Sequence, residues 1–187
     1  MEYFDVCDAR GEPTGAVVSR EEAHRLGIRH RTAHVWVVRR VGGRWQALLQ
    51  KRSPNKDSFP GKYDTSAAGH IQAGDEPLPS ARRELFEELG LRAGPEQLRF
   101  AGTFDIKYEK EFHGRPFRDD ELAHVYVYDG PVGALTLQAE EVERADWFDV
   151  EDLWRDLPAR RDVFCVPTPG LAVLRAWLAR EDARPDG

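Results

Sequence analysis

Three carboxylates share one face of a predicted helix in the middle of the chain. Residues 77–89 have a helical pattern, and at about 100° per residue Glu84, Glu87 and Glu88 fall within about a third of the circumference. Like charges one turn apart destabilise an isolated helix by about 0.2–0.5 kcal/mol. A hard divalent cation such as Mg²⁺ would offset that repulsion, since it prefers oxygen ligands and is commonly shared with substrate phosphates. The spacing therefore indicates metal-dependent chemistry on a phosphate group.

The same residues have a simpler interpretation, a solvated acidic face on which Arg83 pairs with Glu87 one turn away. The surrounding glycines favour the functional interpretation. Gly69 and Gly74 bracket a loop that enters the helix, and Gly90 stands where a helix end commonly needs a left-handed residue. The segment therefore has a defined beginning and a defined end.

The rest of the chain predicts strands and helices that would position this segment. Strand-like runs occur at residues 3–7, 34–39, 45–50, 63–68, 98–106 and 122–128. Gly42 and Gly43 between two of these runs predict a β-hairpin. Helices are predicted from Ser19, an expected N-cap, to about Gly27, and at residues 171–178, and a short strand followed by a helix is predicted around residues 147–157. This irregular alternation favours an α/β fold with a mixed sheet and helices on its faces.

The segment 69–91 reads GHIQAGDEPLPSARRELFEELGL and resembles the signature of the Nudix superfamily, G-x5-E-x7-R-E-U-x-E-E-x-G-U, in which U is a bulky aliphatic residue. The matching positions are Gly69, Arg83, Glu84, Leu85, Glu87, Glu88, Gly90 and Leu91. One position differs, because the first Glu of the signature falls on Asp75. In the family that residue mainly supports the loop, so the shorter carboxylate should be tolerated.

The resemblance extends over about residues 33–157 and implies the Nudix α/β/α sandwich on a central mixed sheet. We expect residues 1–187 to form a single domain, with an amino-terminal extension and a carboxyl-terminal helix around that core. The implied activity is Mg²⁺- or Mn²⁺-dependent hydrolysis of a diphosphate linkage in a nucleoside diphosphate derivative or related small organic diphosphate. The implied metal ligands are the Gly69 carbonyl, Glu84, Glu87 and Glu88, with Glu87 and Glu88 also catalytic and Arg83 orienting the carboxylates.

The general base is harder to assign. Glu121 is the best candidate outside the signature, with rival carboxylates that could equally belong to exposed acidic loops: Asp119, Asp120, Glu140 and Glu141. Lys51 and Arg52 end a predicted strand before a loop. They could bind phosphate oxygens of the substrate or serve as charges at a sheet edge.

A branch of the superfamily offers an alternative function. His34, the Gly69-His70 pair and the acidic run 119–121 resemble isopentenyl-diphosphate isomerases, which bind a metal through histidines and two glutamates and use a cysteine before the Gly-His pair. Ala68 occupies the position of that cysteine, which disfavours the isomerase. His34 and His70 are then expected to be structural or to support the ligands. A non-catalytic ligand-binding module is a further alternative, which the intact glutamates oppose.

Composition excludes several classes of partner. The 187 residues contain 27 Lys and Arg against 33 Asp and Glu, a net charge of −6, which opposes binding to nucleic acid or an anionic membrane. Cys7 and Cys165 are far apart and predict a reducing, cytoplasmic location. The loops expected to select the substrate are 107–120 and 130–137. The amino-terminal region could form a homodimer contact or merely cap the sheet.

Overall fold

The structure, a computed structural model, describes residues 2–184. Between them the chain forms strands and α-helices in the following order: β1 (Tyr3–Cys7), β2 (Pro13–Ser19), α1 (Arg20–Leu26), β3 (His30–Val41), β4 (Arg44–Arg52), β5 (Tyr63–Asp64), β6 (Ala67–His70), α2 (Pro77–Leu89), β7 (Arg99–Phe112), β8 (Arg115–Tyr128), β9 (Val142–Asp149), α3 (Val150–Asp156) and α4 (Thr168–Asp182).

The central sheet is mixed, as predicted, and is organised around β3. Strand β3 pairs in parallel with β8 and antiparallel with β4 and β6. The order along the sheet is β5-β4-β3-β8-β7, with β6 paired to β3 and β9 paired to β4. Strands β1 and β2 form a separate antiparallel pair. Successive side chains along a strand point to opposite faces of the sheet. Because β3 is central, its side chains therefore contribute to the packing on both faces.

Helices cover both faces of this sheet and complete the predicted α/β/α sandwich. On one face Val35 and Val37 pack with Leu85 and Leu89 of α2, and all four side chains are fully buried. On the other face Trp36 packs among residues of α3 and α4. The apolar positions of α2 recur every four residues, so the opposite side of the helix is left to the carboxylates.

The glycine turns form where the sequence predicts them. Gly42 and Gly43, with φ of 57° and 81°, close the β3–β4 hairpin. Gly90 has φ of 71° and ends α2, and its N–H donates to the Phe86 carbonyl at 2.8 Å. The Oγ of Ser19 accepts a hydrogen bond from the Glu22 N–H at 3.3 Å, so the predicted N-cap of α1 is confirmed.

The prediction that residues 107–120 form a loop is wrong, whereas their role in selecting the substrate stays a prediction. These residues continue β7 and β8 as a two-stranded ribbon, in which Phe112 pairs with Arg115. His113 and Gly114 form the turn, and their φ values of 51° and 72° match the two positive angles of a type I′ hairpin. The ribbon was missed because its exposed charges hide the alternation typical of a strand. The other predicted loop, 130–137, does lack regular structure.

The amino-terminal segment has a small core of its own. Phe4, Val18 and Ala23 are buried together, and α1 packs against β8 of the main sheet. This packing directs the side chains of Arg20 and His24 into the cavity described below. Within the part of the chain that the structure describes, no helix has the length and apolar character needed to cross a membrane.

Candidate active site

Most of the predicted site residues meet in one open cavity of about 510 Å³. The predicted residues in its lining are Arg52, Gly69, Arg83, Glu84, Glu87, Glu88 and Glu121. Lys51 is absent from the described residues that line the cavity, and its Nζ lies 2.8 Å from Glu143 Oε1 instead. The role of Lys51 in binding phosphate stays a prediction that this cavity does not support.

Glu88 is the most deeply buried carboxylate of the α2 stripe, with 4% of its surface exposed. Its Oε2 accepts hydrogen bonds from Gln50 Nε2 at 2.8 Å and from the Ala68 N–H at 3.1 Å. Burial, together with the neighbouring charge of Glu84, raises the pKa of Glu88 to about 8. A bound cation would stabilise the ionised form of this buried carboxylate, so Glu88 is well suited to be a metal ligand.

Glu84 lies directly against the backbone of Gly69. A Cβ placed on Gly69 would be 2.2 Å from the carboxyl carbon of Glu84, so only glycine leaves room for this approach. Burial raises the pKa of Glu84 to about 7, although Arg83 opposes the shift with a guanidinium nitrogen 3.1 Å from Glu84 Oε1. The Glu84 carboxylate thus lies beside the backbone of Gly69, and the resemblance assigns these two residues to the same ion.

Substitution of Gly69 with Ala is expected to lower kcat by about 10- to 100-fold. The added methyl group would displace the Glu84 carboxylate, and a displacement of about 1 Å at a reacting centre can cost about 100-fold in rate. Turnover and thermal unfolding should be measured together. The matched control is Gly133→Ala, because a Cβ there meets no atom within 4 Å. Unchanged kcat in the Gly69 variant would contradict the proposed role of this close approach.

Glu87 completes the stripe from a more exposed position. Its carboxylate is 4.0 Å from Arg83 and its side chain is about half exposed, at 49%. Arg83 also donates to the His70 carbonyl at 3.2 Å. The guanidinium therefore holds two carboxylates and the strand β6 in place, which agrees with the orienting role implied by the resemblance.

The oxygen donors of this stripe fit a hard divalent ion. Two of the three carboxylates are largely shielded from water and have raised pKa values, so the metal-free form carries an electrostatic strain that a cation relieves. Carboxylate and carbonyl oxygens are the ligands that Mg²⁺ and Mn²⁺ prefer. Gly69, Glu84, Glu87 and Glu88 are consequently suited to hold the predicted ion.

A second group of potential metal ligands lies beside the first. His24, His30, His70 and Glu121, here called the histidine cluster, each offer one ligand atom, and these atoms lie within 4.8 Å of one another. The Nε2 atoms of the three histidines are buried, and the described residues provide no hydrogen-bond partner for them. Three imidazoles and one carboxylate suit a transition ion better than Mg²⁺.

Backbone contacts orient two of the three rings of the histidine cluster, those of His24 and His30. Nδ1 of His24 donates to the Arg20 carbonyl at 3.0 Å, and Nδ1 of His30 donates to the Ile28 carbonyl at 2.8 Å. In a neutral ring this leaves Nε2 as the nitrogen with a free lone pair. Burial lowers the pKa of His24 to about 4 and that of His70 well below its ordinary value, which favours the neutral, metal-binding form.

Glu121 lies within β8 at the centre of the histidine cluster. Its Oε1 is 3.7 Å from His30 Nε2 and 3.6 Å from His70 Nε2, and its Oε2 accepts a hydrogen bond from Thr32 Oγ1 at 3.0 Å. Burial opposes its ionisation, whereas a proton on Nε2 of His30 or His70 lowers the pKa of Glu121. An ionised, oriented carboxylate can act as a metal ligand or as a proton acceptor.

The rival carboxylates are placed differently. Asp119 lines the cavity, and burial together with Glu121 raises its pKa to about 9. Asp120 pairs with Arg29 at 2.8 Å and with Lys107 at 2.7 Å, outside the described cavity lining. The remaining two are Glu140, which is exposed, and Glu141, which lines the cavity and pairs with Lys56.

Arg52 and Lys56 supply positive charge to the same cavity. Arg52 donates to the Ser58 carbonyl at 3.0 Å and lies 3.3 Å from Asp64 Oδ2. Sequence reasoning found Arg52 but missed Lys56, His24 and His30. Lys56 sits in a loop that carries no regular pattern, and the two histidines become significant only when α1 and β3 pack beside β6 and β8.

The amino-acid sequence also matches a known domain over most of its length. Residues 28–165 correspond to the NUDIX domain. The chain belongs to the Nudix family. Nudix hydrolase 3 of Arabidopsis thaliana is 41% identical over 170 residues, which are 89% of this chain and 21% of that relative. An uncharacterized Nudix hydrolase of Clostridium acetobutylicum is 37% identical over 163 residues, 86% of this chain and 76% of the relative.

The Nudix fold is also found in solved structures. DR0079 from Deinococcus radiodurans superposes with a TM-score of 0.70 at 21% identity, covering 93% of this chain and 98% of that one. The chain spans about a fifth of the length of the Arabidopsis relative, and most of the Clostridium relative. The Nudix hydrolase relatives indicate a pyrophosphohydrolase that acts on phosphoric anhydrides, as the sequence predicted.

Proposed function

We propose that this Nudix protein is a Mg²⁺- or Mn²⁺-dependent hydrolase that cleaves the diphosphate linkage of a nucleoside diphosphate derivative or a related small organic diphosphate. The observation that carries the proposal is the pair of shielded carboxylates, Glu84 and Glu88, held against Gly69 in a cavity that also contains Arg52 and Lys56. Anionic ligands for a cation and cationic ligands for phosphate thus face one space. Such an arrangement fits a metal–diphosphate complex better than either partner alone.

The residues have complementary roles in this proposal. Glu84, Glu87, Glu88 and the Gly69 carbonyl would hold the ion, which when bound stabilises charge on the phosphoryl oxygens and makes a water molecule more acidic. Arg83 positions the carboxylates through its contacts with Glu84 and Glu87. Arg52 and Lys56 bind phosphate oxygens, and Lys51 is retained only as a weaker candidate for that role.

Glu121 is proposed as the proton acceptor for the attacking water. Its carboxylate lines the cavity and is held by Thr32 through Oε2, so Oε1 can accept a proton without a change in the orientation of the group. Asp119 is less suitable because its raised pKa keeps it protonated near neutral pH. The different surroundings of Glu121 and Asp119 are therefore the reason for proposing Glu121 as the proton acceptor.

The histidine cluster favours one second candidate function. Isopentenyl-diphosphate isomerases, which His34, the Gly69-His70 pair and residues 119–121 resemble, bind a metal through histidines and glutamates. His24, His30, His70 and Glu121 provide donors of the same chemical types. Ala68 argues against this function, because the thiol that would exchange a proton with an alkene carbon is missing at that position. We therefore propose a hydrolase in preference to an isomerase.

A product assay distinguishes these functions. The protein is incubated with Mg²⁺ or Mn²⁺ and separately with ADP-ribose, UDP-glucose, a dinucleoside polyphosphate and isopentenyl diphosphate, and the products are identified by mass. Release of a phosphomonoester from one of the first three supports the hydrolase. Interconversion of isopentenyl and dimethylallyl diphosphate would replace it with the isomerase. Tight binding without turnover would instead indicate the non-catalytic module.

Other expectations from the sequence stay predictions. We propose that residues 1–187 form a single Nudix domain with its core at about 33–157, an amino-terminal extension and a carboxyl-terminal helix. A homodimer, a cytoplasmic location and the exclusion of nucleic acid as a partner are also predictions. Small diphosphates are the type of substrate to which the family membership points.

A further inference from the structure

His34 is a buried polar residue that the metal-dependent chemistry does not use. It lies within β3, lines the cavity and is only 6% exposed. Its Nδ1 is buried, and none of the described residues forms a hydrogen bond with it. A buried polar group without a partner is destabilising, so a bound molecule that supplied a hydrogen-bond partner for the imidazole would offset that cost.

The backbone places His34 next to the proposed metal ligands. His34 pairs with Ala68 across the antiparallel strands β3 and β6. The Ala68 N–H donates to Glu88 and not to β3, so this pair is of the non-hydrogen-bonded type, in which facing side chains approach most closely. The small side chain of Ala68 leaves space beside the imidazole, one strand away from the Glu88 carboxylate.

The orientation of the His34 ring is held by an aromatic contact. Phe104 packs edge-to-face against it, with ring centroids 5.4 Å apart and an interplanar angle of 86°. Burial lowers the pKa of His34, while the nearby charges of Glu121 and Asp64 oppose the shift and Arg52 adds to it. A neutral imidazole has one donor and one acceptor nitrogen, which is the pattern that a hydroxyl group can complement.

Two more polar side chains line the cavity with His34. Asp64 accepts a hydrogen bond from the Thr65 N–H at 2.8 Å and lies 3.3 Å from Arg52. Cys165 holds its thiol 3.4 Å from the Tyr63 carbonyl, and the charge of Asp64 acts on both Cys165 and His34. We call His34, Asp64 and Cys165 the polar wall.

We propose that the polar wall binds a hydroxyl group of the moiety attached to the diphosphate, so that the enzyme selects sugar- or ribose-bearing diphosphates over isoprenoid diphosphates. This inference rests on the proposed function. A hydroxyl can form hydrogen bonds with the imidazole and with the carboxylate, whereas a hydrocarbon chain would cover the imidazole and leave its nitrogen without a partner. A site that forms hydrogen bonds with a substrate hydroxyl strongly rejects analogues that lack this group. An apolar pocket rejects an analogue with an additional hydroxyl much less strongly.

The apolar residues of the cavity do not decide between these substrates. Phe59, Tyr108 and Phe117 also line it, and Phe59 packs against Tyr108 with centroids 5.8 Å apart. Aromatic rings can receive a nucleobase as readily as an isoprenoid chain. Discrimination therefore depends on the polar wall, which only one of the two classes can satisfy.

The test compares His34→Leu, which removes the polar nitrogens, with His34→Asn, which restores a short donor and acceptor. Binding is measured by calorimetry with Mg²⁺ and methylene-bridged, non-hydrolysable analogues of ADP-ribose and isopentenyl diphosphate, and KM and kcat with the natural compounds. We expect the wild-type protein to bind the ADP-ribose analogue at least about 10-fold more tightly than the isopentenyl diphosphate analogue. His34→Leu should weaken that binding by about 10-fold or more and leave the isoprenoid analogue within 3-fold, with Asn recovering most of the loss.

A second variant on another segment guards against misfolding at His34. Cys165→Val replaces the thiol with an apolar group of similar size, and it should weaken ADP-ribose binding selectively but less than His34→Leu. Equal losses for both ligands, tighter isoprenoid binding in wild type, or no binding of the ADP-ribose analogue would each overturn the polar wall. Selective binding of the ADP-ribose analogue without hydrolysis of any compound would overturn the proposed function but support the role of the polar wall in binding.

Discussion

Replacing Glu88 with Gln is expected to lower kcat/KM by about 100-fold or more and, without metal, to make the protein more stable at pH 8. The amide can still accept the hydrogen bonds from Gln50 and Ala68, but it provides no charge for the ion. The two effects have one cause. The carboxylate that is needed for the metal is costly to ionise in the folded, metal-free protein.

The pH dependence follows from the raised pKa. Because Glu88 titrates near 8 when folded, against an ordinary value of 4.5, the unfolded chain releases this proton first as the pH rises. The contribution of this group to stability is therefore lost between about pH 4.5 and 8 in the metal-free protein. At pH 8 the Gln variant should melt at least about 2 °C higher than wild type, and Mg²⁺ should reverse the order.

Thermal unfolding at pH 5 and pH 8, with Mg²⁺ and with a chelator, measures this effect alongside the turnover assay. The matched control is Glu140→Gln, which removes one negative charge from an exposed side chain outside the cavity. The control should retain activity and the wild-type response to Mg²⁺. A Glu88 variant that keeps full activity would exclude Glu88 as a metal ligand.

Replacing Glu121 with Gln is expected to reduce the affinity of the histidine cluster for Zn²⁺ or Mn²⁺ by at least about 100-fold. Loss of a residue that merely supports a ligand costs about 10- to 100-fold, so loss of the only anionic donor should reach the upper end. The amide oxygen can still accept the bond from Thr32. If Glu121 also accepts the proton of the attacking water, kcat should fall in the same variant.

Metal affinity is measured by competition with a chromogenic chelator, and Asp120→Asn is the matched control. Asp120 is the preceding residue on β8 and pairs with Arg29 and Lys107 instead of entering the cavity lining. Loss of metal in both variants would point to disruption of β8. Unaltered metal affinity in the Glu121 variant would remove Glu121 from the ligand set.

Local sequence patterns were sufficient to predict the helix that carries the carboxylates. The spacing of Leu85 and Leu89 requires one buried face, and Gly90 requires an end, so α2 could be placed at 77–89 without tertiary information. The Gly42-Gly43 pair fixed the β3–β4 hairpin in the same way. These features depend on neighbours along the chain, which a single sequence displays.

The histidine cluster could not be predicted in this way. His24, His30, His70 and Glu121 come from α1, β3, β6 and β8, and only the central position of β3 brings them together. His34 is part of the resemblance to the isomerases, which bind a metal through histidines, yet it lies outside this cluster. Its Nδ1 has no hydrogen-bond partner among the described residues. The β7–β8 ribbon was hidden for a related reason, since an exposed strand lacks the apolar alternation that identifies a half-buried one.

The amino-terminal hairpin and α1 lie outside the segment that defines the family. That segment begins at residue 28, whereas Arg20 and His24 enter the cavity from α1. A protein truncated to the family boundaries would keep every carboxylate of α2. It would lose Arg20 and His24 from the cavity lining, and with His24 one imidazole of the histidine cluster. If the histidine cluster holds an ion, this short appendage contributes one of its ligands although it lies outside the segment that defines the family.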